Sequence, residues 1–145
     1  MSYHLGRDEM FWRIGHEDSE QLIDDIRKLK SVNFVDEIGL SYLHMACTAH
    51  NLKVAELLLK KGADPNYKDK EGGVPIMSAI GSIHETNPDF LRVFLQYGLD
   101  LNIKQHDMTL KEMIESFEDE ELNTVMKEFE RLENGNDFTG KICSE

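Results

Sequence analysis

The stretch from Asn51 to Asp69, NLKVAELLLKKGADPNYKD, constrains the fold more than any other part of the chain. Leu52, Val54, Ala55, Leu57, Leu58 and Leu59 recur at spacings of three and four, which stripes one face of a helix. Lys60 and Lys61 follow in the last turn, where cations suit the negative end of the helix dipole. Gly62 predicts the stop, because glycine adopts the left-handed conformation that closes a helix without a Cβ clash. Ala63-Asp64-Pro65-Asn66 is turn chemistry: proline presets φ and Asx side chains bond nearby backbone. A short helix that ends this abruptly cannot bury its apolar face alone, so the rest of the chain must provide cover.

It does so by repetition. Under a shift of 33 residues Asn33 falls on Asn66, Asp36 on Asp69, Gly39 on Gly72, Leu43 on Ile76 and Ala46 on Ala79. Under a shift of 36, Leu57 falls on Val93, Leu58 on Phe94, Leu59 on Leu95, Gly62 on Gly98, Asp64 on Asp100 and Asn66 on Asn102. The three extra residues lie in Ile83-His84-Glu85-Thr86-Asn87. A fixed period of this length predicts a solenoid of stacked helix pairs.

The units resemble ankyrin repeats. The family pattern runs D-x-x-G-x-T-P-L-H-x-A and closes on L-L-x-x-G-A-D-x-N. Asp36-Glu37-Ile38-Gly39-Leu40-Ser41-Tyr42-Leu43-His44-Met45-Ala46 leads here to Leu58-Leu59-Lys60-Lys61-Gly62-Ala63-Asp64-Pro65-Asn66. The next unit, Asp69-Lys70-Glu71-Gly72-Gly73-Val74-Pro75-Ile76-Met77-Ser78-Ala79, keeps the proline and loses the threonine and histidine. The resemblance implies an all-α ankyrin-repeat solenoid of about four stacked helix pairs, with degenerate capping units at both ends. The units fall at residues 9–33, 34–66, 67–102 and 103–132, within one domain of residues 1–133 followed by a polar tail, 134–145, expected to be loosely packed.

In the first unit, helices are expected over Glu9–Gly15 and Asp18–Lys30, with Leu22, Ile23, Ile26 and Leu29 as the second stripe. Trp12, the single tryptophan, is assigned with Phe11 to core packing rather than to a ligand stack. In the second unit Ser41 takes the N-cap place of the family threonine. His44 matches the histidine that ties adjacent turns, and Tyr42 replaces the proline and its preset φ. Val74 in the third unit has no capping oxygen, so its first helix is expected to be less well anchored. Thr109 and Glu112 form a capping box in the fourth. Asp119, Glu120 and Glu121 open the last helix, where negative charge is favourable.

No catalytic, cofactor or metal site is predicted. GxSxG, GxxxxGK[ST], HExxH and CxxC are all missing from the sequence, and no two of its 6 histidines stand three or four apart. Cys47 occupies a small-residue position of the repeat and is expected to be a buried, inert thiol; Cys143 lies in the tail. The sequence has no segment of signal-peptide character and none long enough to span a bilayer, so a cytoplasmic location is expected.

Charge narrows the partner. The net charge is −12. From Asp107 to Glu145 there are 12 acidic and 4 basic residues, a net of −8. Direct nucleic-acid and anionic-membrane contacts are disfavoured, whereas a basic protein is favoured. By the resemblance, the partner-binding positions are Glu37, Ile38, Leu40 and Thr48, then Lys70, Glu71 and Ser82 (with Gly73), and at the last tip Gln105 and His106. Ile38 and Leu40 are apolar where exposure is expected. The chain is accordingly read as a non-catalytic binding module, monomeric or in a 1:1 complex. It is similar to the small acidic immunity proteins by which bacteria neutralise a basic toxin such as a nuclease. An adaptor or enzyme inhibitor with an endogenous partner is the alternative. A metal-dependent enzyme using the acidic C-terminal region ranks below both, because the adjacent Asp119, Glu120 and Glu121 point in different directions on a helix.

Overall fold

Each periodic stretch folds as a helix whose start is fixed by a side-chain cap where the sequence supplies one. In the computed structural model, which describes residues 6–80, 88–105 and 107–135, α1 (Glu9–His16) begins at Asp8, whose carboxylate accepts the Phe11 amide. Ser19 caps α2 (Glu20–Arg27) through the Leu22 amide. Asn51 caps α4 (Leu52–Lys60) through that of Val54. α3 (Tyr42–Thr48) and α7 (Leu110–Ser116) open with full capping boxes, Ser41 with His44 and Thr109 with Glu112. Val74 offers no oxygen. The chain there enters α5 (Met77–Ile80) through tight i→i−3 bonds, Met77 N–H to Val74 O at 3.2 Å and Ser78 N–H to Pro75 O at 3.0 Å. α6 (Pro88–Gln96) carries proline at its first position, where a missing N–H costs nothing. α8 (Glu120–Gly135) completes the series.

The helices stack as two rows. α1 packs on α3 and α3 on α5; α2, α4, α6 and α8 pack in succession behind them. α3 pairs with α4, α5 with α6 and α7 with α8. Strand is confined to hairpin tips: β1 (Lys104–Gln105) and β2 (Met108–Thr109) pair antiparallel, and Val35 bridges Ser41 at the equivalent place two units earlier. The all-α solenoid is thus the architecture of the described residues. No described helix is long and apolar enough to cross a membrane.

One contiguous core runs between the rows, from Phe11, Ile14, Leu22 and Ile26 through Leu43, Val54, Leu58 and Ile76 to Phe90, Phe94, Leu110, Ile114 and Leu122. Cys47 lies in it, and burial pushes its thiol well above the ordinary range. Gly62 has φ +101°, and the Ala63 amide beyond it donates to Leu58 O at 3.0 Å; Gly98 repeats this turn at φ +98°, with Leu99 N–H donating to Phe94 O. The outward residues of the last pair, Glu120, Glu121, Lys127, Glu128 and Arg131, are exposed, as a terminal unit with solvent on one side requires.

Three expectations change. α1 runs one residue further, to His16, and α2 is shorter than Asp18–Lys30 because Ser19 is the residue whose side chain caps it. Trp12 is not a core residue: Phe11 and Ile14, three apart, are fully buried, while Trp12 is 48% exposed. Adjacent helical residues point about 100° apart, and α1 turns its Phe11 and Ile14 side inward, which leaves Trp12 at the edge of the packed stripe. The Ile83–Asn87 loop, the 134–145 tail beyond Gly135 and Cys143 lie outside the described residues.

Leu58 is 0% exposed at the centre of the inter-unit core. Leu58→Ala should cost about 2–5 kcal/mol through lost burial and the cavity left behind. Urea unfolding followed by circular dichroism measures this, and an unmoved midpoint would contradict the packing described.

Candidate protein-binding face

The first two tips are built by one carboxylate each. Asp36 Oδ1 accepts the amides of Ile38 (3.0 Å) and Leu40 (2.9 Å), while Oδ2 takes Arg7 Nε at 3.0 Å. Asp69 Oδ1 accepts the amides of Glu71 (2.8 Å) and Gly73 (2.9 Å). Such Asx turns hold the intervening side chains outward on a fixed backbone. The two tips are also tied together, Lys70 N–H donating to Ile38 O at 3.0 Å. Gly39 has φ +84°, and a Cβ there would stand 3.0 Å from the Lys70 backbone nitrogen, so glycine permits this approach.

His44 connects helix start to neighbouring tip. Its Nδ1 lies 3.1 Å from the Ser41 amide, which can only donate, and its Nε2 lies 2.9 Å from Gly73 O, which can only accept. The ring is therefore neutral with its proton on Nε2. Burial holds the imidazole below its ordinary pKa, against the opposing pull of the Gly73 carbonyl and the Asp69 carboxylate 4.0 Å away.

On this scaffold the candidate contact residues separate. Glu37, Ile38, Lys70 and Glu71 are exposed on the first two tips, with Ile38 38% exposed. Thr48 is exposed on α3, though its hydroxyl donates to His44 O at 3.0 Å within its own helix. Leu40 is half-buried and packs against the core, because the Asp36 turn folds it back under the tip. Gln105 is buried: it stands where the earlier units have aspartate, and its longer side chain reaches back to donate from Nε2 to Gly72 O at 2.8 Å. It therefore holds the third tip to the second and is not presented to solvent. Ser82 and His106 lie outside the described residues. Each tip leads directly into α3, α5 or α7, so tips and front-row helices adjoin; Trp12 and Glu9 are exposed on α1, which packs on α3.

Two anchors at the N-terminal end were not legible as pairs. The Tyr42 hydroxyl donates a short hydrogen bond to Asp8, the residue that caps α1. Burial, then the Asp8 carboxylate, push the phenol well above its usual range. Arg7 lies 4.7 Å over the Phe11 ring while paired with Asp36. Asp8 is not among the caps read from the sequence; the structure shows it as the N-cap of α1. Its meeting with Tyr42 depends on a 34-residue separation that local pattern does not encode. Among the described residues no group of three His, Cys, Asp or Glu side chains is placed to hold a metal ion.

A solenoid of stacked helix pairs joined by a row of rigid tips defines the class of scaffold. The comparison with known families agrees: "Ankyrin repeats (3 copies)" matches residues 15–105, well over half of the 145 residues, and the chain belongs to that family. It is similar to protein phosphatase 1 regulatory subunit 27 of Mus musculus, 33% identical over 62% of this chain and 57% of that protein. It is also similar to ankyrin repeat domain-containing protein 63 of Homo sapiens, 36% identical over 50% of this chain and 19% of the relative. A third is the ankyrin repeat and LEM domain-containing protein 1 homolog of Caenorhabditis elegans, 44% identical over 36% of this chain and 7% of the relative. The chain thus spans from 7% to 57% of the length of these relatives. Membership makes it a protein–protein interaction module.

His44 generates a test that separates scaffold from contact. Removing the ring leaves the Ser41 amide and the Gly73 carbonyl short of a partner, so His44→Ala should destabilise by about 1–3 kcal/mol at neutral pH. The parent's His44 contribution should be complete above the unfolded imidazole pKa of about 6.5 and be lost as pH falls below it towards the lower folded value, since the unfolded state binds the proton first. The difference in unfolding free energy between parent and variant should shrink accordingly between neutral and mildly acidic pH. A difference independent of pH would show that the ring is not held neutral by these two bonds.

Proposed function

We propose that this ankyrin-repeat module binds a basic protein along the tip-and-front-helix face and occludes it, as a monomer forming a 1:1 complex, without catalysis. The specific role assigned is neutralisation of a basic toxin such as a nuclease in the cytoplasm, in the manner of an immunity protein. The observation that carries the reading is the pairing of a rigid, sparsely apolar tip row, centred on Ile38, with a net charge of −12. A field of that sign speeds encounter with a cationic partner and does not retain it; retention falls to the few desolvated apolar anchors. Contact residues on this reading are Glu37, Ile38, Thr48, Lys70 and Glu71, with Ser82 and His106 as further candidates. Leu40 and Gln105 act from beneath. A second reading has its own support. The mouse relative's name makes that protein a regulatory subunit of a phosphatase, which favours an inhibitor or adaptor acting on an endogenous enzyme.

The two links respond differently to mutation. Ile38→Ser should speed dissociation roughly tenfold or more with little change in association rate. Neutralising Glu118, Glu120 and Glu121 should slow association, and the effect should fade as salt shortens the field. The experiment is affinity capture on parent and Ile38→Ser baits, followed by surface plasmon resonance with the protein recovered. A basic toxin that the parent retains and the variant releases is the expected result. An acidic partner, or one released at the same rate by both baits, would defeat the proposal. An endogenous enzyme lost from the variant would select the second reading.

A further inference from the structure

Trp12 is the residue whose placement departs furthest from its sequence expectation, and its surroundings specify what it is fit to bind. The indole is 48% exposed but is not free to swing. It lies flat on the His16 ring, centroids 4.5 Å apart and planes 15° from parallel, and His16 Nδ1 sits 2.9 Å from Trp12 O. One face of the indole is thereby backed by a fixed ring. Glu9, exposed and one turn earlier on the same face of α1, has no ion pair among the described residues. Arg13, the nearest cation along the helix, is committed elsewhere, to Glu17 Oε2 and Asp25 Oδ2, both at 2.8 Å. The same end of the molecule shows what such a constellation holds: Arg7 lies 4.7 Å over the Phe11 ring while its Nε meets Asp36 at 3.0 Å. Trp12 and Glu9 present the aromatic and the carboxylate of that arrangement on the exposed side of α1.

We propose that Trp12 and Glu9 form a seat for a cationic side chain, arginine in preference to lysine, at the N-terminal end of the binding face. The inference rests on the basic-partner reading above and deepens it by naming the group that docks there. A guanidinium is planar and weakly hydrated; it stacks on an indole while its edge donates to a carboxylate, which a compact ammonium does less well. The seat lies on α1, which packs directly on α3. Gly15, on the next turn, approaches Met45 of α3 so closely that a Cβ there would meet its sulfur at 2.8 Å. A partner segment crossing α3 therefore passes directly onto α1. Charge complementarity selects the occupant, since the chain's net charge of −12 disfavours an anionic one and the indole favours a cation over a neutral polar group.

Because Trp12 is the single tryptophan, its emission reports the seat directly. The probe is a short oligo-arginine peptide, with the oligo-citrulline peptide of equal length as the neutral control. The parent should show a saturable change in Trp12 emission with the arginine peptide and none with citrulline. By anisotropy of labelled peptide, Trp12→Ala should bind about three- to thirtyfold more weakly, Glu9→Gln more weakly by a smaller factor, and Trp12→Phe should recover part of the loss. Trp12→Ala also removes the half of the residue that is buried and its stack on His16. Far-UV circular dichroism at the assay temperature therefore checks that the variant is folded, and Trp12→Phe, which keeps an aromatic ring there, separates a lost seat from a lost fold. If the arginine peptide binds with unchanged affinity to Trp12→Ala and leaves the emission of the parent unaltered, the seat is overturned while the basic-partner reading stands, the carboxylates of α7 and α8 then taking the cation. If arginine and citrulline peptides are not distinguished at all, the basic-partner reading fails and the seat fails with it.

Discussion

The fold depends on polar ties that each unit makes to the backbone of the next. A helix pair of this length leaves its turn carbonyls and amides without partners, and a buried or half-buried orphan costs on the order of 1–3 kcal/mol. The chain resolves this by passing the debt along the stack. Asn66 donates from its amide to Gly98 O at 3.0 Å and accepts the Asp100 amide at 2.7 Å. His44 serves Gly73 O, and Gln105 serves Gly72 O. Apolar burial drives the rows together, but it would tolerate sliding. The ties require one register, because each side chain spans to a backbone group fixed about one repeat away.

This is why so much of the architecture was legible. Asn66 and His44 stand at places the repeat pattern marks and make two of the ties, the glycines announce the left-handed turns, and the three- and four-residue spacing of Leu, Val and Phe announces which face is covered. Two caps were equally plain, since Ser41 and Thr109 stand immediately before apolar runs; the Asn51 cap of α4 emerged only in the structure. The misplacements share a different cause. Leu40 and Ile38 alternate on a tip, and strand alternation alone does not say which of them the Asp36 turn folds inward. Gln105 looked like a tip residue because its position is a tip; only its length, against aspartate at the equivalent sites, hinted that it would reach back. Trp12 and Phe11 are adjacent apolar residues in a unit without the family's opening motif, and a stripe defined by so few residues can be rotated by one position without penalty in the pattern.

The N-terminal unit compensates for that missing motif with contacts that belong to this chain. Phe11, Phe34 and Tyr42 form an aromatic cluster, Phe34 stacked on Tyr42 at 5.4 Å and Phe11 edge-on to Phe34 at 6.3 Å. Such pairs add about 0.5–1.5 kcal/mol each beyond the area they bury. Tyr42 gives up the preset φ of proline and gains a bond to Asp8. That one carboxylate thereby caps α1 and fastens it to α3. Arg7 performs the same double duty between Phe11 and Asp36. The first helix is thus fixed by its own side-chain contacts where later units are held by the ties of His44, Asn66 and Gln105, and its outward residues Trp12 and Glu9 lie outside that packing.

That placement has a consequence for how binding and stability are divided. On α3 the conserved pattern of the repeat occupies the residues that face inward, and the tip carboxylates are consumed in holding amides, so substitutions there disturb the stack and any bound partner together. On α1 the inward work falls to Phe11, Ile14 and Asp8, while Trp12 and Glu9 carry none of it. Rigid presentation matters as much as exposure, because a side chain that must be ordered on docking forfeits roughly 0.5–1.5 kcal/mol. The tips are held by Asx turns and the indole by His16, so little ordering remains to be done. The distant carboxylates of α7 and α8 act through a field that decays over about 8 Å at physiological salt; they bias approach. For the cationic partner proposed above, selection would then fall to the short-range groups, where an aromatic plane and a carboxylate discriminate by shape as well as by sign.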